Sequence, residues 1–292
     1  MKVEISKTCC LCYGAKRALD IALDNAKQGK NVVLLKELLH NKRAVSLLQN
    51  LGVKQVDCVE DLKDGDIAII RAHGEPKETY QYFSSHNIEY IDCTCPNVKA
   101  INLLVERKDN EGYKIIIVGK YGHKTGKMHP EVFGTSHHCN NPILVEDEEE
   151  IASIDTTFPK YFLVVQTTFS SKKAKDFIEK IKNKIENAGK FFEYRDTTCN
   201  AQHLINKDSL DLAQKVDKMI VVGGKNSSNS IELYKNLSQV VECYFVEGID
   251  EVKSLSQQNV FLKDDFVGLT GGASTVMEEL LEIKEYLLHL HK

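Results

Sequence analysis

The sequence predicts an α/β fold made of three similar modules, each built on a small parallel sheet. Strand-like and helix-like segments alternate along the chain, the pattern that parallel sheets require. Cys12, Cys95 and Cys199 each stand just before a helix-like run. An apolar strand begins 20 residues after each of them: Val32-Val33-Leu34, Ile115-Ile116-Ile117 and Met219-Ile220-Val221. A Val-Glu pair recurs 47, 50 and 47 residues after the same cysteines, at Val59-Glu60, Val145-Glu146 and Val246-Glu247. A strand ending in a small polar loop follows 61 to 75 residues on. Its versions are Ile69-Ile70-Arg71-Ala72-His73-Gly74, Val164-Val165-Gln166-Thr167-Thr168 and Val267-Gly268-Leu269-Thr270-Gly271-Gly272-Ala273-Ser274. Repetition of one supersecondary unit decides an architecture before any single motif does. The modules span 12–94, 95–198 and 199–292, the last including the C-terminal helix, after an N-terminal strand within 1–11.

In module one, the strand 32–36 leads to His40-Asn41 and an amphipathic helix through Val45, Leu47, Leu48 and Leu51, stopped by Gly52. Gly65-Asp66 turns into the strand 67–72. Gly74-Glu75-Pro76 opens a helix, with proline near its first turn, where a missing N–H costs nothing. The strand 88–91 runs into Asp92-Cys93-Thr94-Cys95-Pro96-Asn97, and a helix leaves it through Val98, Ile101, Leu104 and Val105. In module two, the strand 115–118 ends at Gly119. The basic loop 120–128 reads as solvated surface and precedes His129-Pro130-Glu131-Val132. The acidic stretch 146–150 opens a helix, where carboxylates meet the positive end of the dipole. The strand 161–166 ends in Gln166-Thr167-Thr168, and Ser170 caps the lysine-rich helix 171–187. In module three, the strand 219–222 ends in Gly223-Gly224-Lys225-Asn226-Ser227-Ser228-Asn229-Ser230, and a helix follows over 231–239. The last helix, 274–289, begins at Ser274 and buries Leu280, Leu281, Ile283, Leu287 and Leu288.

The chain of 292 residues is 42% hydrophobic and 27% charged, an ordinary globular mix. A formal net charge of −4 gives no reason to expect nucleic acid as a partner. No apolar run exceeds roughly five residues, far short of a membrane span. No charged-then-apolar signal opens the chain, so a cytoplasmic location is expected. There, nine cysteines mean reduced thiols, metal or catalysis and not a disulfide framework.

Two constellations carry chemistry. Helix N-termini lower thiolate pKa and offer N–H groups to anions, so Cys12, Cys95 and Cys199 suit an anionic cofactor. Iron–sulfur clusters normally take four thiolates, and three modules supply three, which leaves one iron open. Zinc held by three thiolates and a histidine fits the same residues, as does plain packing of small side chains. Cys9, Cys10, Cys58, Cys93, Cys139 and Cys243 lack the triplication, although Cys9 and Cys93 lie within three residues of Cys12 and Cys95. The second constellation is the set of strand-end loops, where open α/β sheets bind ligands. The loops His40-Asn41, His73-Gly74, His129-Pro130-Glu131, Gln166-Thr167-Thr168, Asn226-Ser227-Ser228-Asn229 and Thr270 to Ser274 offer imidazole, hydroxyl and amide groups suited to a phosphate or diphosphate. Each serine or asparagine is equally a helix cap, and cap geometry is itself anion-site geometry. Glu131, beside His129, is either a proton source or an ordinary helix-start carboxylate.

In order along the chain, Cys12-Tyr13-Gly14 with Arg17-Ala18, Leu39-His40-Asn41, Ala72-His73-Gly74, Thr94-Cys95-Pro96, His129-Pro130-Glu131-Val132, Gln166-Thr167-Thr168, Cys199, the run from Val222 to Ser230 and Thr270-Gly271-Gly272-Ala273-Ser274 form one set. This set resembles the 4-hydroxy-3-methylbut-2-enyl diphosphate reductase family, the last enzymes of the non-mevalonate isoprenoid pathway, over nearly the whole chain. The resemblance implies three lobes arranged pseudo-threefold around a central [4Fe-4S] cluster. It implies reductive removal of an allylic hydroxyl to give isopentenyl and dimethylallyl diphosphates. By matching motif, Cys12, Cys95 and Cys199 would be the cluster ligands and Glu131 the proton source. His40, His73, His129, Ser227, Ser228, Asn229 and Ser274 would hold the diphosphate, and Thr167 would bond the substrate hydroxyl or Glu131. A ferredoxin or flavodoxin is the implied electron donor, since the chain has no flavin or nicotinamide fingerprint. There are departures. Cys10-Leu11 stands where the family usually has Gly-Phe, and Ala15 where it usually has valine. The loop between Gly119 and His129 is longer than is common. Cys199-Asn200-Ala201-Gln202-His203 replaces a Cys-x-Ala-Thr pattern with an Arg-Gln pair beyond it. A paralogue with the same cluster and another substrate, or a non-catalytic metal- or anion-binding protein, is the alternative.

Overall fold

A computed structural model of the chain describes residues 1–39, 41–225, 227–273 and 275–291, apart from the side chains of Lys42 and Ser228. The elements run β1 (Lys2–Ile5), α1 (Tyr13–Lys27), β2 (Val32–Leu35), α2 (Lys42–Asn50), β3 (Lys54–Val56), β4 (Ile67–Ile70), α3 (Lys77–His86) and β5 (Glu89–Asp92). Then come α4 (Pro96–Asn110), β6 (Lys114–Val118), α5 (Pro130–Ser136), β7 (Ile143–Val145), α6 (Glu148–Ala152), β8 (Lys160–Val165), α7 (Ser171–Asn187) and β9 (Phe191–Arg195). The chain ends with α8 (Ala201–Ala213), β10 (Lys218–Val222), α9 (Ser228–Leu237), β11 (Glu242–Val246), α10 (Ile249–Gln257), β12 (Phe266–Gly271) and α11 (Met277–His289).

The strands form three four-stranded sheets, ordered β3-β2-β4-β5, β7-β6-β8-β9 and β1-β12-β10-β11. Every pairing among them is parallel. Read from its other edge, the third sheet is β11-β10-β12-β1, so the N-terminal strand takes the place that β5 and β9 take in the other two. Each of the three cysteines therefore follows the fourth strand of a sheet and precedes a helix. The chain divides into two compact units, one of Met1–Gln28, Glu37–Val53 and Asn200–Lys292, the other of Gly29–Lys36 and Lys54–Cys199.

The inner strands β2, β4, β6, β8 and β10 are almost wholly apolar because both of their faces are covered, while the edge strands β1, β3, β5 and β9 keep charged and exposed residues. In the second unit, Ile115 and Ile117 of β6 turn to one side with Phe162 and Val164 of β8, under Ile101 and Val105 of α4 and Val132 of α5. Ile116 and Val118 turn to the other with Leu163 and Val165, against Phe177, Ile178, Ile181 and Ile185 of α7. This is the two-residue alternation of a strand. In the first unit, Ile220 and Val222 pack with Leu280, Ile283 and Leu287 of α11, while Met219 and Val221 face Leu212 of α8 and Leu233 of α9.

Several expectations change. Val145 and Val246 close β7 and β11, but Val59-Glu60 lies in a 3-10 turn three residues beyond β3, so the first Val-Glu pair is not equivalent to the others. The strand expected over 67–72 ends at Ile70, where residues 71–74 turn away, and that expected over 88–91 is β5, one residue later. Pro76 does stand near the first turn of its helix, as the N-cap of α3. Ser170 holds the N-cap position of α7, but its side chain makes no capping hydrogen bond. The acidic stretch does open a helix: Asp147 and Glu150 form a capping box at α6. The helix expected over 231–239 is α9, already begun at Ser228. In the last helix, α11, Leu281 and Leu288 are 50% and 37% exposed, so the buried stripe is the narrower Leu280, Ile283 and Leu287. Ser274 lies outside the described residues.

Candidate functional site

In the second unit, a continuous series of contacts links half of the residues singled out from the sequence: His73, Cys95, His129, Glu131, Thr167 and Cys199. Gly119 ends β6 as a glycine because a Cβ there would stand 2.6 Å from Val132 Cγ2 and 2.9 Å from Gln166 Cβ. α5 can thus close against the β8 loop. His129 caps α5, its Nδ1 accepting from the Glu131 amide at 3.2 Å, and Pro130 takes the first helical position. Glu131 then points inward and is 2% exposed. Its carboxylate accepts from the Thr167 amide at 2.5 Å and from Thr167 Oγ1 at 2.6 Å. Ile101, Ile117, Val132 and Val164 surround it. Burial pushes Glu131 up to about 7, although the two Thr167 donors pull the other way. A carboxyl poised there can give up a proton near neutral pH. Gln166 braces the loop, its Oε1 accepting from the Lys120 amide at 2.9 Å and its Nε2 donating to Thr168 Oγ1 at 2.6 Å.

The cysteines are seated by the same loops. The Cys199 amide donates to the Thr167 carbonyl at 2.7 Å, and the Cys95 amide to the Ala72 carbonyl at 2.9 Å. Cys95 is the N-cap of α4, with Pro96 at its first position. Asn97, in that same first turn, donates from Nδ2 to Cys199 Sγ at 3.8 Å. Cys199 lies one residue before Asn200, the N-cap of α8. His73, on the turn after β4, meets His129 edge-on with ring centroids 5.2 Å apart. Gly74 beside it has φ +73°, a left-handed conformation natural to glycine.

In the first unit, Cys12 is the N-cap of α1, in extended backbone and half-buried. The loop after β12 holds the residues before it: Cys10 N donates to Gly271 O at 3.2 Å and Leu11 N to Thr275 O at 2.8 Å. Cys10 has φ +70°, the left-handed region, which gives a physical reason for the glycine usual at that place in the resembled family. Ser227 caps α9, its Oγ accepting from Ser230 N at 3.3 Å and from Ser230 Oγ at 3.1 Å. Ser230 is fully buried, and a Cβ on Gly223 or Gly272 would come within 2.4 or 2.3 Å of its Oγ. Those two glycines clear the space for it. Thr275 Oγ1 donates to Val222 O at 2.7 Å, tying the β12 loop to the end of β10. Asn229 is half-buried in the first turn of α9. Asn41 caps α2 and donates to Glu279 Oε2 at 3.3 Å. His40, Ser274 and the Ser228 side chain lie outside the described residues.

Sequence reasoning placed Asn97 and Ser230 within motifs but gave neither a role. Asn97 could have been found from its place two residues after Cys95 in a helix start, where an amide faces whatever the cap faces. Ser230 is recognisable only beside Gly223 and Gly272, which the chain separates widely. The loop 120–128 is mostly exposed, as expected, yet Gly122 N and His123 N donate to Glu146 at 2.8 and 3.2 Å and Lys124 pairs with Asp147 at 3.0 Å. Among the described residues no helix is long and apolar enough to cross a membrane.

The chain matches a family model described as LytB protein over residues 3–288. It is 33% identical to the 4-hydroxy-3-methylbut-2-enyl diphosphate reductase of Clostridioides difficile (strain 630), over 98% of this chain and 100% of that protein. It is 35% identical to the enzyme of that name from Caldanaerobacter subterraneus subsp. tengcongensis, over 97% of this chain and 96% of the relative. A solved structure of (E)-4-hydroxy-3-methyl-but-2-enyl diphosphate reductase superposes with a TM-score of 0.80 and 32% identity, covering 99% of both chains. The Plasmodium falciparum reductase gives 0.78 and 25% identity, over 97% of this chain and 87% of that one.

Proposed function

This chain belongs to the LytB family of 4-hydroxy-3-methylbut-2-enyl diphosphate reductases, and from that premise we propose that it removes the allylic hydroxyl of (E)-4-hydroxy-3-methylbut-2-enyl diphosphate reductively, giving isopentenyl and dimethylallyl diphosphates. It is an oxidoreductase with a reductive role in isoprenoid biosynthesis. The reaction breaks one carbon–oxygen bond and consumes two electrons and two protons: one proton leaves with the oxygen as water, the other enters the carbon skeleton. The observation that carries the reading is Glu131, buried, doubly hydrogen-bonded to Thr167 and pushed up to about 7.

In this reading Glu131 gives the departing oxygen its proton, and Thr167 orients the carboxyl. His73, His129, Ser227, Asn229 and, from the sequence alone, His40, Ser228 and Ser274 hold the diphosphate. Cys12, Cys95 and Cys199 hold a [4Fe-4S] cluster. Their chemistry suits that group: each is a thiol sulfur at or next to a helix N-cap, and the Asn97 amide donates to Cys199 Sγ. When bound, the cluster supplies single electrons and a Lewis-acidic iron. The electrons come from outside, from a ferredoxin or flavodoxin.

Anaerobic purification with iron and sulfide analysis tests this. About four irons and four sulfides per chain are expected. Cys12→Ser, Cys95→Ser and Cys199→Ser should each lower that content, and Cys58→Ser and Cys243→Ser should not. Stoichiometric zinc without acid-labile sulfide would refute the cluster.

A further inference from the structure

We infer that the ion pair of half-buried Lys36 with buried Glu75, completed by Arg71, is a positioning device that fixes the His73 turn against helix α5 and so sets how His73 and His129 grip an anion. The inference deepens the proposed diphosphate role of these two histidines and rests on it.

Glu75 is 1% exposed and Arg71 9%, an unusual depth for charged side chains. Lys36 Nζ lies 2.8 Å from Glu75 Oε2, and Arg71 Nε lies 3.2 Å from Glu75 Oε1. Arg71 and Glu75 are the two shoulders of the turn that carries His73. Between them the Gly74 amide closes on the Arg71 carbonyl at 3.0 Å. Lys36 comes from the end of a different strand, β2. It reaches this carboxylate from a backbone with φ +65°, a conformation that costs an L-residue energy and needs a compensating contact. The same ammonium lies 5.5 Å from the ring centroid of Phe133, two residues beyond Glu131 on α5. One cation thus touches both the turn that presents His73 and the helix that His129 caps.

Stability alone is a poor reason for this arrangement. Two buried charges and a half-buried one cost desolvation that a well-packed apolar trio would avoid, and such groups are best explained where they select one geometry. The selected geometry here is the edge-on approach of His73 to His129. The network also holds two cations and one anion, so simple attraction of a diphosphate by its excess positive charge is the competing explanation. The two explanations give opposite signs when Glu75 is neutralised.

The experiment is calorimetric titration of inorganic pyrophosphate into the anaerobically prepared full chain, wild type and variants. Glu75→Gln makes the locality more positive by one charge. Positioning requires it to weaken pyrophosphate binding, by about 5- to 10-fold. Lys36→Met should weaken binding similarly, and Lys36→Arg should recover most of the loss. Lys36 is partly exposed, so if Glu75→Gln fails to fold the decision passes to Lys36→Met combined with His73→Ala: positioning requires no more loss than His73→Ala alone, whereas charge attraction adds the two losses and would overturn the inference. Because Glu75 acts through His73, Glu75→Gln combined with His73→Ala should lose no more affinity than His73→Ala alone. In turnover the loss should fall on KM, with kcat nearly unchanged, since the anion is held alike in ground and transition states. Equal or tighter pyrophosphate binding by Glu75→Gln, with His73→Ala still impaired, overturns the inference and leaves the diphosphate reading standing. Unchanged affinity in His73→Ala overturns both.

Discussion

Glu131 shows how a single residue's position becomes chemistry. A carboxyl at the second position of a helix ordinarily sits in water and stays ionised. Here α5 is drawn in over Gly119, and the side chain is surrounded by aliphatic residues with Thr167 as its hydrogen-bonding partner. Desolvation outweighs those two donors and leaves the group near 7. Glu131→Gln keeps the shape but not the proton, so turnover with a chemical reductant should fall by about 10²–10⁴-fold while substrate affinity stays near wild type. Wild-type turnover should decline as pH rises through about 7, because the protonated donor is lost. Stability carries the same sign. The native state holds its proton more tightly than the unfolded chain, whose carboxyl titrates near 4.5. The stabilisation is complete below that value and is lost as pH rises through about 7. Denaturant unfolding of wild type between about pH 5 and pH 8 should show this slope, and Glu131→Gln should lack its share. Near-normal turnover in Glu131→Gln would refute the proton role.

At the scale of elements, helix starts do most of the positioning. Cys12, Cys95, His129 and Ser227 are all N-caps, and Cys199 precedes one by a residue. Each cap combines a turning chain with the N–H groups of a first helical turn, and at His129 and Ser227 the cap side chain accepts from one of them. The helix bodies serve the core. In α11 the apolar pattern is wider than the face that packs. Leu280→Ala, at a fully buried position, should cost about 2–5 kcal/mol. Leu281→Ala, half exposed, should cost less than about 1 kcal/mol. Comparable losses for both, in chemical denaturation, would mean that Leu281 is covered in solution.

For the whole molecule, the informative feature is where β1 goes. It pairs with β12 along Lys2↔Phe266, Val3↔Val267, Glu4↔Gly268 and Ile5↔Leu269, joining the two ends of the chain in one sheet. That pairing supplies the fourth strand which module three does not contain in sequence. It also leads directly into Cys12 under the β12 loop. Deleting residues 2–6 would bare the β12 edge. Hydrogen exchange should then show lost protection along β12, with β8 as the internal reference, and the Cys12 thiol should alkylate faster than in the full chain. Unchanged exchange in β12 would show that the pairing contributes nothing to the sheet.

By itself the sequence determined that three cysteines stand at or beside helix starts, and it determined the three sheets and the family. These follow from local regularities: apolar runs that must be buried on both faces, caps and turns, and a spacing repeated three times. The motifs around His73, His129, Glu131, Thr167 and Ser227 were legible for the same reason, since each sits at a strand end or a helix start that the local pattern announces. Only the tertiary structure decided which of them touch. The bond from Thr167 to Glu131 and that from Asn97 to Cys199 span 36 and 102 residues. The Ser230 niche needs the distant Gly272 as well as the nearby Gly223, and the Lys36–Glu75 pair spans 39 residues. The seating of β1 beside β12, and which leucines of α11 are covered, were likewise tertiary outcomes. Periodicity says that a face is apolar, but what meets that face is set by parts of the chain that no local window contains.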